Sequence, residues 1–273
     1  MSEFLTDQHF EKFRSLIYDS SGITFSNSNR PILESRLRER LRLAKLDDVG
    51  VYFDLIKRSE GEMKTFLDSI TTNLTRFFRN QAHFDAMENH VLPDLIKHKR
   101  AKNLEKKIRV WSAGCSTGEE PYTISMILKD RLPPDFTYDI TASDLSLKSL
   151  MTASQGFYPD ARIQGIPDGY LSRFFTRAGD GYQAKDEIKN RIKFDYHNLK
   201  FDSGLRNLDI IFCRNVLIYF DEAAQKNVID RFWTSMTNHA FLYIGHSESL
   251  FGMKTEFKFL KTEWAVLYTK LQD

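Results

Sequence analysis

Residues 108–122 read Ile-Arg-Val-Trp-Ser-Ala-Gly-Cys-Ser-Thr-Gly-Glu-Glu-Pro-Tyr. The stretch opens as an apolar strand on Ile108, Val110 and Trp111, breaks at Gly114 and turns through small residues to Gly118. It resumes as a helix whose apolar side carries Tyr122, Ile124, Met126, Ile127 and Leu128. A strand, a small-residue loop and a helix make a pocket for a nucleotide-like ligand. Glycines let the backbone come close, and the helix N-terminus presents unpaired N–H groups. The loop is not GxGxxG, and on its own it leaves the ligand open.

Downstream, strands alternate with helices. Tyr138, Ile140 and Ala142 form a second strand ending at Asp144, from where a carboxylate can accept hydrogen bonds from ribose hydroxyls. Gly114 and Asp144 are 30 residues apart. That exceeds the roughly 20 of dinucleotide folds, and the helix and Pro133-Pro134 loop between them take up the difference. A helix over Ser146 to Ser154, a buried strand over Leu208 to Cys213, a helix over Glu222 to Met236 and strands near 240–245, 257–260 and 265–269 follow. This alternation predicts a doubly wound α/β sheet. Arg214 and Asn215 fall just beyond the buried strand, at the carboxyl edge where open α/β sheets bind ligands. Residues 155–196 interrupt the pattern with Pro159, Pro167 and the turn Gly179-Asp180-Gly181. They predict a short helix and an antiparallel hairpin inserted in the sheet domain.

Upstream, residues 1–97 read as an all-α domain, with Phe10, Phe13 and Ile17, then Leu33, Leu37 and Leu41, at helical spacing. Asn29 is the expected cap of the second helix, ahead of Pro31 in its first turn. Arg36, Arg38, Arg40 and Arg42 flank that helix's apolar stripe. They form either a solvated face or a basic surface for an acidic partner. Residues 98–107 are polar and basic and predict a linker. Residues 70–80, Ile-Thr-Thr-Asn-Leu-Thr-Arg-Phe-Phe-Arg-Asn, mix backbone-bonding side chains with two arginines and two phenylalanines, which predicts a loop with a task.

Composition sets the class. The 273 residues are 41% hydrophobic and 28% charged, as in a soluble globular chain. A net charge of +2 favours neither bulk nucleic-acid binding nor an acidic tail. No apolar run nears the roughly 20 residues of a membrane span. The N-terminus lacks a secretory signal. Cys115 and Cys213 predict free thiols of a reducing cytoplasm, with no metal-ligand spacing.

Five motifs, in this order, carry a resemblance: ITTNLTRFFRN (70–80), RVWSAGCSTGEEPY (109–122), ITASDLS (140–146), FCRNVLIYFD (212–221) and YIGHSES (243–249). Together they resemble the CheR family, chemotaxis receptor glutamate O-methyltransferases that use S-adenosyl-L-methionine and release S-adenosyl-L-homocysteine. The likeness spans nearly the whole chain. It implies an N-terminal helical domain and a Rossmann-like methyltransferase domain with a small inserted antiparallel β-subdomain. It implies cofactor contacts by Asn73, Thr75, Arg79, Gly114, Glu119 (or its neighbour Glu120), Asp144, Asn198, Leu199, Arg214 and Asn215. It places Arg79 and Tyr219 at the transferring methyl. His246 and Glu248 are expected to be structural or to wall the site. The implied partner is the cytoplasmic helical domain of methyl-accepting chemotaxis receptors, which gives Arg36, Arg38, Arg40 and Arg42 an acidic surface to dock. A monomer without direct membrane insertion is expected. Some family members grip a receptor C-terminal pentapeptide through the β-subdomain, and the short hairpin at 177–183 resembles members that do not. Two other readings compete. A nicotinamide-dependent oxidoreductase is opposed by the missing GxGxxG. A non-catalytic receptor-binding or cofactor-sensing module of the same fold would keep the motifs without turnover.

Overall fold

The computed structural model describes residues 4–71 and 74–272. Four helices open the chain: α1 (Asp7–Ser21), α2 (Arg30–Ala44), α3 (Val49–Arg58) and α4 (Glu60–Ile70). Apolar residues three and four apart give each a stripe, and the stripes meet in one core around Phe13, Leu37, Tyr52 and Phe66. Thr6, Asp48 and Ser59 cap α1, α3 and α4 by accepting hydrogen bonds from the first-turn N–H groups of His9, Val51 and Glu62. Helix α2 departs from expectation. Asn29 precedes it in a helical conformation and makes no side-chain cap, so the start is set by the preformed φ of Pro31.

Next come α5 (Gln81–Ala86), a π-helical segment over Met87–Val91 and α6 (Leu92–Ala101). Phe84, Met87, Val91 and Leu95 of this stretch pack with Ile108, Val110, Ile210 and Phe212 of the sheet. Core membership therefore divides the helices after Ile70, whereas the sequence reading groups them through residue 97. The basic run at 98–107 is likewise not all linker. The helix continues to Ala101 because Lys99 is buried and its Nζ lies 2.7 Å from Asp209 Oδ1.

The rest is β1 (Lys107–Ala113), α7 (Glu119–Arg131), β2 (Thr137–Asp144), α8 (Leu147–Gln155), β3 (Phe157–Pro159), α9 (Asp168–Phe174), β4 (Phe175–Ala178), β5 (Gly181–Ala184), α10 (Asp186–Lys189), β6 (Ile192–Tyr196), β7 (Leu208–Cys213), α11 (Glu222–Ser235), β8 (Met236–Ile244), β9 (Lys258–Lys261) and β10 (Val266–Leu271). Seven strands form one sheet in the order β6-β2-β1-β7-β8-β10-β9. Strands β6, β2, β1, β7 and β8 run parallel, and β10 is antiparallel to both its neighbours. This is the expected Rossmann-like sheet, closed by a C-terminal hairpin. Chain order reverses between β1 and β7, so a crevice opens where their carboxyl ends, Ala113 and Cys213, diverge. The inserted antiparallel sheet is β3-β5-β4. The excursion is shorter than the 155–196 read from sequence, because β6 rejoins the main sheet beside β2, with Ile192 opposite Ile140.

Candidate functional site

The loop from Gly114 to Gly118 carries the first wall. The N–H groups of Gly114 and Cys115 both donate to the Ser143 carbonyl, at 2.8 and 2.9 Å, stitching the ends of β1 and β2 together. Gly114 has φ +87°, and a Cβ there would overlap a Val216 methyl. Gly118 has φ +96°, and its Cβ would lie 2.8 Å from Ala153 Cβ. Both positions therefore require glycine. The turn aims the Ser116 N–H at Asp144 Oδ2, at 2.7 Å, while the Ser146 N–H holds Oδ1 at 2.8 Å. Burial pushes the Asp144 carboxyl pKa up, and these N–H groups oppose the shift by bonding the charged form.

The second wall is an ion pair buried at the switch point. Arg214, just after β7, donates from Nε to Glu120 Oε2 at 2.7 Å, and the Ser112 hydroxyl donates to Glu120 Oε1 at 2.6 Å. Nη1 of Arg214 donates to the Arg79 carbonyl at 2.5 Å and lies 3.4 Å from His83 Nδ1. Burial and the adjacent Arg214 charge bring the His83 pKa down to about 4, so its ring is neutral at pH 7. Asn215 has φ +60°, and its N–H donates to Glu248 Oε2 at 2.9 Å. The same carboxylate accepts from the N–H groups of Gly245 and Ile218. Glu248 thus fixes the loops after β7 and β8, the structural role expected of it.

The third wall is the loop that follows α4. Phe77 and Phe78 are buried in the sheet's core, Phe77 edge-on to Tyr158 with centroids 4.8 Å apart. Phe78 and Asn80 take left-handed backbone conformations, an unfavourable choice that tertiary packing enforces. Between them Arg79 donates from Nη1 to the Leu74 carbonyl at 2.7 Å.

The roof comes from the helical unit. The Thr24 N–H donates to the Tyr219 carbonyl at 2.8 Å, and Ile23 pairs with Phe220. Asn198 Nδ2 donates to the Ser20 carbonyl at 2.7 Å, and Lys200 Nζ donates to the Tyr18 carbonyl at 3.2 Å, near the end of α1. Sequence reasoning missed this roof, in which Ile23, Phe25 and Ile32 line the cavity.

Thr75, Arg79, Gly114, Asp144, Asn198, Leu199, Arg214, Asn215 and Tyr219 all line this one cavity. Asn73 lies outside the described residues. Glu119 does not line it: its carboxylate is fully buried, accepts from Thr117 Oγ1 at 2.7 Å and is paired with Arg162. Successive helical residues point about 100° apart, and it is Glu120 that faces the cavity. The basic helix also divides. Arg38 is exposed and pairs with Glu34 at 2.6 Å, Arg36 lies 3.8 Å from Glu39, and Arg42 is exposed with no ion-pair partner among the described residues. Arg40 is different. Its guanidinium is fixed between α2 and α4 by Glu62 at 2.6 Å and Tyr52 OH at 3.2 Å, which withdraws it from the surface.

The donor set fits S-adenosyl-L-methionine. A carboxylate held at the end of β2 suits ribose hydroxyls. A carboxylate–guanidinium pair, Glu120 with Arg214, suits a zwitterionic amino-acid end. Ser116 Oγ, buried in the wall, has no partner among the described residues and is left to hydrogen-bond a ligand.

Comparison with known proteins agrees. The family described as "CheR methyltransferase, SAM binding domain" matches residues 73–266, and "CheR methyltransferase, all-alpha domain" matches residues 8–71. A chemotaxis protein methyltransferase of Borreliella burgdorferi is 35% identical, covering 92% of this chain and 91% of its own. One from Escherichia coli is 34% identical, covering 93% and 88%. Chemotaxis protein methyltransferase 2 of Vibrio cholerae is 33% identical, covering 90% and 87%. With both domains matched and relatives aligned over nearly their full length, the chain belongs to the CheR methyltransferase family.

Proposed function

We propose that this methyltransferase esterifies glutamate side chains on the helical cytoplasmic domain of methyl-accepting chemotaxis receptors, acting as a cytoplasmic monomer. The reading is supported above all by the convergence of Arg79, Tyr219, Asp144, Arg214 and Asn215 on one cavity at the β1/β7 switch point. Bound there, S-adenosyl-L-methionine supplies a methyl group already activated by its sulfonium. The chain contributes alignment and exclusion of water.

A glutamate side chain has a pKa of about 4.3 and is a carboxylate nucleophile at neutral pH, so no general base is required. Arg79 sits at the cavity wall with one Nη tied to Leu74, which leaves its remaining N–H groups to orient an incoming carboxylate. The Tyr219 hydroxyl makes no hydrogen bond among the described residues and can donate to the same carboxylate. Asp144, Glu120, Arg214 and Asn215 hold the donor's ends. Ile23, Phe25 and Leu199 give the cavity apolar walls. Arg36, Arg38 and Arg42 form the basic surface for an acidic receptor helix, and Arg40 supports it from below. The tight turn at Gly179-Asp180 keeps the β4–β5 hairpin short, which supports engagement without a receptor tether.

The test is transfer of labelled methyl to receptor-containing membranes at saturating cofactor. Arg79→Ala and Tyr219→Phe should each lower turnover at least about tenfold, the loss of roughly one charge-assisted or buried hydrogen bond. Wild-type turnover in both would remove them from the mechanism. No transfer by the wild-type protein, with S-adenosylhomocysteine still bound, would instead favour the non-catalytic module.

A further inference from the structure

A second concavity adjoins the first. It lies on the far side of the loop after α4 and shares Thr75 with the main cavity. One side is Thr75, Arg76 and Gln81, with Phe77 and Phe78 behind them. The other is Ala161, Arg162, Gln164 and Gly165, from the segment between β3 and α9. The two sides approach closely, since a Cβ on Gly165 would stand 3.1 Å from the Phe77 carbonyl.

The charge of this groove is one-sided. Its walls hold two guanidiniums, two carboxamides and no carboxylate. Arg162 is already neutralised by the buried Glu119 carboxylate. Arg76 is exposed, and its guanidinium has no ion-pair or hydrogen-bond partner among the described residues. Arg79 lines the main cavity and Arg76 the groove, three residues apart along one loop. A loop of this kind offers two separate carboxylate positions.

Resting on the receptor-methylating function proposed above, we infer that the groove is an accessory substrate subsite. It takes a second acidic side chain of the same receptor helix while the first is presented to Arg79. Spacing sets which one. Three residues of chain span at most about 10 Å, and a helix rises about 5.4 Å per turn. The second carboxylate therefore lies one or two turns from the methyl acceptor, on the same helix face. Its recognition is electrostatic, by Arg76, with Gln164 across the groove. Esterifying or amidating that neighbour removes the charge that Arg76 binds, so the enzyme slows on segments already modified.

The experiment compares wild type with Arg76→Ala and Arg76→Glu on receptor-containing membranes, using receptors with and without Glu→Gln changes one or two turns from a methylated glutamate. Cofactor affinity is read separately by calorimetry with S-adenosylhomocysteine. An exposed charge pair of this kind changes affinity by roughly twofold to fivefold. The receptor KM should rise by that factor in Arg76→Ala and further in Arg76→Glu, with S-adenosylhomocysteine affinity unmoved. The flanking Glu→Gln change should slow the wild type but not Arg76→Ala. An unchanged KM in both variants, or an equal slowing of wild type and Arg76→Ala by the flanking change, overturns the subsite while leaving receptor methylation standing. A wild-type protein that binds S-adenosylhomocysteine but never methylates the receptor overturns both.

Discussion

Replacing Glu120 by Gln tests whether the buried pair at the switch point organises the site. The carboxylate accepts from Arg214 Nε at 2.7 Å and from the Ser112 hydroxyl at 2.6 Å, one donor on each oxygen. Glutamine keeps the volume but offers only one acceptor, so its oxygen stays with Arg214 and its N–H₂ turns to Ser112, whose hydroxyl must accept instead of donate. The Arg214 charge also loses its counter-ion while remaining 8% exposed. Removing one partner of a buried ion pair costs about 3–5 kcal/mol. The cavity admits water to one side of Arg214, so the lower end, about 3 kcal/mol, applies here. At roughly 2–4 °C per kcal/mol for a chain of this size, Tm should fall by roughly 6–12 °C. The assay is thermal unfolding of wild type, Glu120→Gln, Arg214→Met and the double variant. The double variant should lose less than the two singles together, because it buries no unpaired charge. A Tm within about 2 °C of wild type, or strict additivity of the two single changes, would refute the claim that these residues act as a unit.

Three further outcomes follow from the site's surroundings. Arg38→Glu with Arg42→Glu should raise the receptor KM about tenfold and leave Tm nearly unchanged, as exposed charges do. Arg40→Ala should instead lower stability by roughly 2 kcal/mol, because it strips partly buried hydrogen bonds from Glu62 and Tyr52, and the same Tm and KM measurements separate the two effects. His83 gives a pH signature. Its folded pKa, about 4, lies below the unfolded value, so it binds fewer protons in the native state over that interval. The corresponding stability is present above about pH 6.5 and is lost as pH falls towards 4, by up to about 3 kcal/mol. Denaturant melts at pH 7 and pH 4.5 check this, and His83→Gln should show a shallower drop; an equal drop would clear His83 of the effect.

What the sequence disclosed depended on range. The strand–turn–helix at 108–122 was legible because its signals are local: an apolar run, two glycines forced by positive φ, then a 3.6-residue period. The fourfold helical opening was legible for the same reason. Assignments that hinge on distant partners were not. Glu119 and Glu120 look alike until Arg162, some 43 residues on, claims the first. Arg40 looks like its neighbours until Glu62 ties it to α4. Lys99 sits in a basic run that reads as solvated, yet Asp209 draws it into the interior and extends α6. Strand β6 carries a strand's alternation, Ile192, Phe194 and Tyr196 against Lys193 and Asp195, but its membership of the main sheet hid, because it follows a segment full of turns and its partner β2 lies some 50 residues upstream.

The roof explains why so much of the site lies outside the stretch that defines the fold. Residues 114–118 and 144 supply a floor that any sheet of this type can offer, and it is open above. Closure depends on Ile23 to Phe25 crossing over the loop after β7, held by the Thr24 bond to the Tyr219 carbonyl and by Asn198 and Lys200 at the end of α1. Tyr219 is therefore fixed from both sides, by its own 3₁₀ turn and by the helical unit. Arg79 is fixed in the same way, between the Leu74 carbonyl and the Arg214 guanidinium. Helix α2 completes the argument, because Ile32 in its first turn lines the cavity while Arg38 and Arg42 further along face solvent. One helix thus carries both part of the cavity's roof and the exposed basic surface proposed to dock the acceptor. Arg79 and Tyr219, the two groups proposed to meet a carboxylate, line the cavity at the seam between the units, so on that reading neither the floor nor the helical unit alone contains a complete site.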